Sequence, residues 1–338
     1  VVQAYPEAFD AGEKNGIKII YGMEGYLEAE DAAFVENPKP MPLTGDFVVF
    51  DIETTSLSAR YGEIIEIAGV KLSDGKIADT FSQFVRPEKT VPYHITELTN
   101  ITDGMVRNAE PISAVLPAFL EFCSGCVLVA HNAGFDVGYI KKKAEDLHLP
   151  FDFCYMDTLM LSRRLLPVKT HKLDKVAKHL GFSFEGHHRA INDAEVTARI
   201  FLHFAELMEG MEIADVTEVN DKLADSSMKR HNKTYHAIML VQNMTGLKNL
   251  YHLVSKSHLD TYYKRPRITK AMFNEHREGI LLGSACEAGE LYQKMLHGAT
   301  RDELVQIASY YDYLEVQPLG NNNFMLRNHM VSDISELE

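Results

Sequence analysis

The sequence holds 338 residues, more than one ordinary domain, so two compact units or one enlarged unit are expected. Hydrophobic residues at 46% and charged residues at 24% are ordinary globular usage and exclude a disordered, collagen-like or low-complexity chain. A net charge of −14 excludes recognition of nucleic acid by the surface as a whole, and leaves local basic patches or carboxylates gathered around cations.

The chain opens on Val1, inside a helix-like stretch and without an initiator Met, as expected for a piece of something longer. Gly16-Ile17-Lys18-Ile19-Ile20-Tyr21-Gly22 then reads as a short buried strand between glycines. Leu27 to Gly45 is acidic and carries Pro38, Pro40 and Pro42, which is linker chemistry. From Asp46 the pattern turns β-rich, with strands expected at Phe47-Val48-Val49-Phe50, Glu63 to Leu72 and Ile77 to Val85, the last two joined by the turn Ser73-Asp74-Gly75-Lys76. Helical periodicity follows over Pro111 to Phe122, a strand returns at Val127 to Ala130, and helices are expected near Phe135 to Leu147, Thr158 to Leu165, Leu173 to Leu180 and Ala194 to Met208. That order predicts an α/β fold with a mixed sheet covered by helices.

Glu209 to Lys233 is polar and charged and reads as a second linker. Beyond it, strands at Ala237 to Val241, Gly279 to Gly283 and Tyr313 to Val316 alternate with helices at Leu247 to His258 and Arg301 to Ser309. The simplest topology inserts residues 46–208 into a second domain whose parts are residues 1–45 and 234–338, with 209–233 as the connection. No apolar stretch approaches the roughly 20 residues that span a bilayer, so no membrane contact and a cytoplasmic setting are expected. The four cysteines suit a reducing compartment, and the lone C-x-x-C of Cys123 and Cys126 reads as buried thiols at the start of a strand.

Three short motifs carry the chemistry. Asp51-Ile52-Glu53-Thr54-Thr55 ends the first strand of the β-rich region, where alternation turns Asp51 and Glu53 to one face. A solvated strand end is the plain alternative, but the preceding run is wholly apolar, and buried carboxylates need a partner such as a metal ion. His131-Asn132-Ala133-Gly134-Phe135-Asp136 follows another apolar strand and places Asp136 in the first turn of the next helix, where an acid would also complement the helix dipole. His188-Arg189-Ala190-Ile191-Asn192-Asp193 opens the long helix and puts Asp193 on it.

Together, D-x-E, H-N-x-x-F-D and H-x-A-x-x-D resemble the three motifs of the DEDDh 3′→5′ exonucleases in type, order and spacing, over residues 46–208. The resemblance implies a ribonuclease H-like fold and two Mg²⁺ or Mn²⁺ ions held by Asp51, Glu53, Asp136 and Asp193. It makes His188 the general base; the adjacent His187 lacks the family spacing to Asp193. It also places Thr54, Thr55, Leu57, His94 and Asn132 along the terminal nucleotide. Lys141 to Lys143, Arg163, Arg164 and Lys169 are cations that track phosphates or, taken singly, form solvated helix faces. The sequence departs from the common E-T-T-G by having Ser56.

The flanks, Ile19 to Glu24 before this region and Tyr235-His236-Ala237, Asn249-Leu250-Tyr251, Lys264 to Ile268 and Gly283 to Cys286 after it, resemble the PHP (polymerase and histidinol phosphatase) domain. A PHP domain interrupted by a DEDDh exonuclease is the arrangement of PolC-type bacterial replicative polymerases. That resemblance implies a partial β/α PHP barrel in which Glu24, His236 and Cys286 match ligand positions for Zn²⁺ or Mn²⁺. It implies a proofreading module that acts on single-stranded or frayed 3′ DNA ends, with the rest of the polymerase and replisome as partners. An RNA-directed exonuclease and a non-catalytic scaffold for DNA or a clamp are the alternatives.

Overall fold

The computed structural model describes residues 2–29, 33–183, 189–224, 233–328 and 330–331. Its contacts gather into two units: Val1–Ala32 with Ser226–Met295 and Arg301–Asn322, and Ala33–Asp225 with Leu296–Thr300 and Asn323–Glu338.

The chain enters the first unit through helix α1 (Tyr5–Asn15), started by Pro6 and ended by Gly16 at a φ of 62°. The apolar run after Gly16 is not the buried strand its composition predicts. Ile17 N–H donates to the Gly12 carbonyl at 2.9 Å, and a Cβ on Gly12 would stand 2.7 Å from Ile19, so the run folds back on α1. Ile17 and Ile20 are exposed, and pairing begins only at β1 (Gly22–Glu28).

The second unit is built on a mixed sheet of β2 (Val35–Glu36), β3 (Phe47–Thr54), β4 (Ile64–Ser73), β5 (Lys76–Arg86), β6 (Glu110–Pro111), β7 (Val127–Ala130) and β8 (Tyr155–Asp157) in the order β2-β8-β7-β3-β4-β5-β6. The meander β3-β4-β5 is antiparallel, while β7 and β8 continue the sheet in parallel on the other side of β3. The strand β3 is therefore central and covered on both faces, which is why it reads as an unbroken apolar run. Short helices α2 (Tyr93–Thr99) and α3 (Asp103–Val106) follow β5, α4 (Ile112–Phe122) leads to β7, α5 (Gly134–Asp146) leads to β8, and α6 (Thr158–Leu165), α7 (Leu173–His179) and α8 (Ala190–Glu209) complete the layers.

Alternation along β3 assigns the two faces. Phe50 stacks on Phe119 of α4 with ring centroids 5.5 Å apart, so the even positions face the α4–α5 core. Phe47 stacks on Phe201 of α8 at 4.8 Å, so the odd positions, Asp51 and Glu53 among them, face α8.

Both segments expected as linkers contribute to this unit. Phe34 and Val35 are buried, both of their N–H groups donate to Asn220 Oδ1 at 3.0 Å, and Leu43 N–H donates to the Ala214 carbonyl. Ile213, Val216, Val219 and Leu223 are buried at a turn and at α9 (Val219–Leu223), because the charges between them leave these apolar positions on one face. The remaining residues of the second expected linker, from 225 to 232, lie outside the described residues.

The chain then supplies β9 (Thr234–Val241), α10 (Met244–Leu259), α11 (Lys270–Glu275), β10 (Ile280–Gly283), α12 (Glu290–Leu296), α13 (Arg301–Ala308) and α14 (Asn323–Arg327). In the first unit β1 and β10 flank β9, both antiparallel to it, over a core of Leu27, Ala237, Met239, Leu250, Phe273 and Leu282. The strand expected at Tyr313 to Val316 reduces to one parallel bridge, Gly283 with Tyr313. Among the described residues no helix is long and apolar enough to cross a membrane.

Candidate active site

Three elements deliver the carboxylates. The odd face of β3 presents Asp51 and Glu53 to α8. On α8 the same face carries Asp193, then buried Thr197 and Phe201 at four-residue steps, so the Phe47–Phe201 stack also fixes where Asp193 lies. Oxygens of Asp51, Glu53 and Asp193 all fall within 4.8 Å of one another. Asp136, buried in the first turn of α5, comes alongside from the other neighbour of β3, and its Oδ1 accepts the Ile52 N–H at 3.2 Å, between the two β3 acids.

This crowding is electrostatically costly. Glu53 is pushed up to about 8 by burial first and then by the charges of Asp193, Glu66 and Asp136, with Arg189 opposing. Asp136 is also pushed up to about 8, by burial above all and further by Asp157 and Asp193, against the stabilising backbone N–H of Ile52. Asp51 rises well above the carboxylate range through burial and then through Asp136 and Asp193. Acids held this way either keep protons or share a cation, and a donor set made only of hard oxygens suits a hard divalent ion.

The other expected site residues are placed as follows. Thr54 and Thr55 are buried and spent locally: Thr54 Oγ1 donates to the Ser56 carbonyl at 2.7 Å, and Thr55 Oγ1 accepts the Glu63 N–H at 2.9 Å. Leu57, on the same loop, is 56% exposed. Ser56 is compatible with this loop because its φ is not positive, and its hydroxyl accepts the Ser58 N–H at 3.1 Å and donates to the Met330 carbonyl at 3.1 Å. Asn132 is exposed in the left-handed region, at a φ of 68°, and His94 is half-buried in α2. His188 and His187 lie outside the described residues. Arg164 and Lys142, named for phosphates, bind the Leu223 carbonyl and the acids Glu145 and Asp146 instead.

Three supporting residues escaped the sequence reading. Glu66 on β4, 1% exposed, is paired in register with Glu53 and binds Arg189 through both guanidinium and carboxylate forks. A carboxylate inside Ile64-Ile65-Glu66-Ile67-Ala68 was a readable signal, since a buried acid needs a partner. Asp157 caps α6 and also accepts the Asn132 N–H at 3.0 Å, which holds Asn132 in its unusual conformation. Tyr139, fully buried one turn beyond Asp136, shares its one hydroxyl proton between the carbonyls of Ser56 and Ser58, 2.5 and 2.9 Å away, and so clamps the loop that bears Leu57.

In the first unit the three residues named as possible PHP ligands converge. Glu24 Oε1 lies 2.7 Å from His236 Nδ1, from diagonal positions on β1 and β9, and Cys286 Sγ lies 3.8 Å from the same nitrogen.

Residues 48–201 match the family model described as Exonuclease (RNase_T). Over its whole length the chain is 50% identical to the DNA polymerase III PolC-type of Clostridium perfringens and covers 23% of that protein. It is 44% identical, again end to end, to the PolC-type polymerase of Caldanaerobacter subterraneus and covers 24% of it. The chain thus spans about a quarter of the curated relatives it matches. Among solved structures, Exonuclease X in complex with 5′ overhanging duplex DNA is 27% identical, covering 53% of this chain and 99% of its own, with a TM-score of 0.42.

Proposed function

We propose, on the premise that the chain belongs to the PolC-type DNA polymerase III family and carries an exonuclease domain over residues 48–201, that it hydrolyses the 3′-terminal phosphodiester of DNA as the proofreading module of that polymerase. The observation that carries this reading is the meeting of Asp51, Glu53 and Asp193 oxygens within 4.8 Å, with Asp136 beside them. The strand order around β3 supports a ribonuclease H-like nuclease unit, and the Glu24, His236 and Cys286 convergence supports a PHP-type flank able to take Zn²⁺ or Mn²⁺.

Asp51, Glu53, Asp136 and Asp193 would hold Mg²⁺ or Mn²⁺, whose charge, when bound, offsets the carboxylate repulsion and acidifies a coordinated water. The protein's own part begins with His188, which by its motif accepts the proton of the attacking water; an imidazole with an ordinary pKa near 6.5 suits that task at neutral pH. As the new P–O bond forms, the bond from phosphorus to the 3′ oxygen of the penultimate nucleotide breaks, which releases a deoxynucleoside 5′-monophosphate and a strand with a new 3′ hydroxyl. Leu57, exposed on the loop after Glu53, would press on the terminal base. A frayed end has already lost its stacking, so a site for single strands favours mispaired ends without reading sequence.

The test is incubation of the full chain with a 5′-labelled single strand of DNA, or of RNA with the same sequence, in Mg²⁺, Mn²⁺ or EDTA. Stepwise shortening of DNA that EDTA abolishes is expected; faster cleavage of RNA would move the substrate class, and binding without shortening would make the chain a scaffold. His188→Ala should lower kcat by about 10² to 10⁴, the usual share of a positioned base, while His187→Ala should be much milder.

A further inference from the structure

Glu66 is an expensive residue to keep where it is. It sits 1% exposed in β4, directly across from Glu53, and adds a fifth negative charge to a site already crowded with four. Its geometry is not that of a spare ligand, because both oxygens are engaged by donors from one short stretch of chain. Oε1 accepts from Arg189 Nη2 at 2.8 Å, while Oε2 accepts from Arg189 Nε at 3.2 Å and from the Ala190 backbone N–H at 3.1 Å. The guanidinium is fixed on a third side by the ring of Phe84, 5.1 Å from its centroid.

The stretch so gripped is the start of α8. Arg189 is its N-cap residue, without a side-chain cap of its own, and the Arg189 carbonyl accepts the N–H of Asn192 at 2.9 Å and of Asp193 at 3.1 Å. Glu66 supplies the missing cap from the neighbouring strand. A continuous path of hydrogen bonds therefore runs from β4 beside Glu53, through Glu66 and Arg189, into the peptide of Asp193.

We propose that Glu66, acting through Arg189, is a positioning residue for the nuclease centre, one that sets the first turn of α8 so that Asp193 meets Asp51 and Glu53. The inference rests on the proposed exonuclease function. Its cost in charge is offset locally, since the bidentate guanidinium neutralises Glu66 where a lysine would match only one oxygen.

The experiment compares wild type with Glu66→Ala, Glu66→Gln, Arg189→Ala and the Glu66→Ala/Arg189→Ala pair in the full chain. It measures kcat and KM on a single-stranded DNA oligonucleotide and, independently, Mn²⁺ affinity by calorimetry. Glu66→Ala and Arg189→Ala are expected each to lower kcat and Mn²⁺ affinity by about 10- to 100-fold, the usual effect of losing a partner that orients a ligand, with KM changed by less than about threefold. The double variant should be no worse than either single one, as for two halves of one device. Glu66→Gln should recover most of the loss, because its amide oxygen can still accept from Arg189 or Ala190. Variants within about twofold of wild type in both readouts, losses that multiply in the double variant, or a Glu66→Gln as inactive as Asp51→Asn would each overturn the proposal. Should Glu66→Ala fail to fold, Arg189→Lys decides: a drop in Mn²⁺ affinity at unchanged melting temperature supports the anchor, and unchanged affinity removes it. A wild type that binds Mn²⁺ but leaves DNA intact counts against the exonuclease reading alone, since the affinity comparison still stands.

Discussion

Asp51 is the residue on which the site's electrostatics converge: Asp136, Asp193, Glu53 and Glu66 all press on it from short range. An amide at this position keeps the shape and removes one of the mutually repelling charges. Asp51→Asn should therefore abolish nearly all nuclease activity, by about 10³-fold or more, and yet raise the melting temperature of the metal-free protein by a few degrees, as relief of about 1 kcal/mol does in a unit of this size. Calorimetry in EDTA checks it; a lower melting temperature would mean that the carboxylate is held by favourable contacts. His131 makes the opposite argument about pH. Its ring is held between Thr158 Oγ1 at 3.0 Å and the His171 carbonyl at 2.9 Å, and burial lowers it to about 4. The unfolded chain, with an ordinary histidine near 6.5, thus binds a proton that the folded chain refuses between these values. Stability from this residue is complete above pH 6.5 and is lost as pH falls toward 4, by up to about 3 kcal/mol. The buried carboxylates, raised toward 8, gain stability over the same fall in pH and are common to wild type and variant, so the His131 share is the difference between them: urea unfolding at pH 7 and pH 5 should show His131→Gln gaining on wild type as pH falls.

Elements, more than residues, explain what could be read in advance. The apolar runs of β3 and β7 and the period of α5 and α8 make it legible that Asp51 and Glu53 lie on β3, Asp136 on α5 and Asp193 on α8, because each acid stands near the end of an element whose pattern is strong. The supports were hidden since each joins elements far apart in sequence: Tyr139 reaches back to Ser56 and Ser58, Asp157 to Asn132, and Arg189 to Glu66. Ile17 to Tyr21 misled for a related reason. Its apolar composition is that of a strand, but the close approach allowed by Gly12 gives it to α1. The clamp between α5 and the loop after β3 can be tested on its own. Tyr139→Phe keeps the buried ring and removes the one hydroxyl proton that the carbonyls of Ser56 and Ser58 share, a loss of about 1 kcal/mol. The loop that bears Leu57 should loosen, so KM for a single-stranded oligonucleotide should rise by about 3- to 10-fold while kcat changes little. A fall confined to kcat would place the clamp's effect on the carboxylates instead.

At the scale of the whole molecule, the boundaries of the nuclease unit depart most from what composition predicts. Proline and charge made residues 27–45 and 209–233 look like connectors, yet composition does not report which face of a short helix is apolar. Phe34, Val35, Leu43, Ile213, Val216, Val219 and Leu223 are all buried in the unit that holds the acids. Fully burying an aliphatic or aromatic side chain contributes about 1.5 to 3 kcal/mol, so a fragment cut at residues 46 and 208 forgoes a sum comparable to the whole stability of an ordinary domain. It also loses the Asn220 amide that satisfies Phe34 and Val35 and the bridge between Pro42 and Asp215. A fragment of residues 33–224, which still lacks residues 296–300 and 323–338 of the same unit, should melt well above the 46–208 fragment and bind Mn²⁺ more tightly than it, whereas the shorter fragment should be marginal or unfolded at 37 °C. Circular dichroism melts of the two, followed by Mn²⁺ titration of whichever folds, measure this directly. Equal melting temperatures would show that the buried faces of β2 and α9 are ornaments on a unit already complete at residues 46–208.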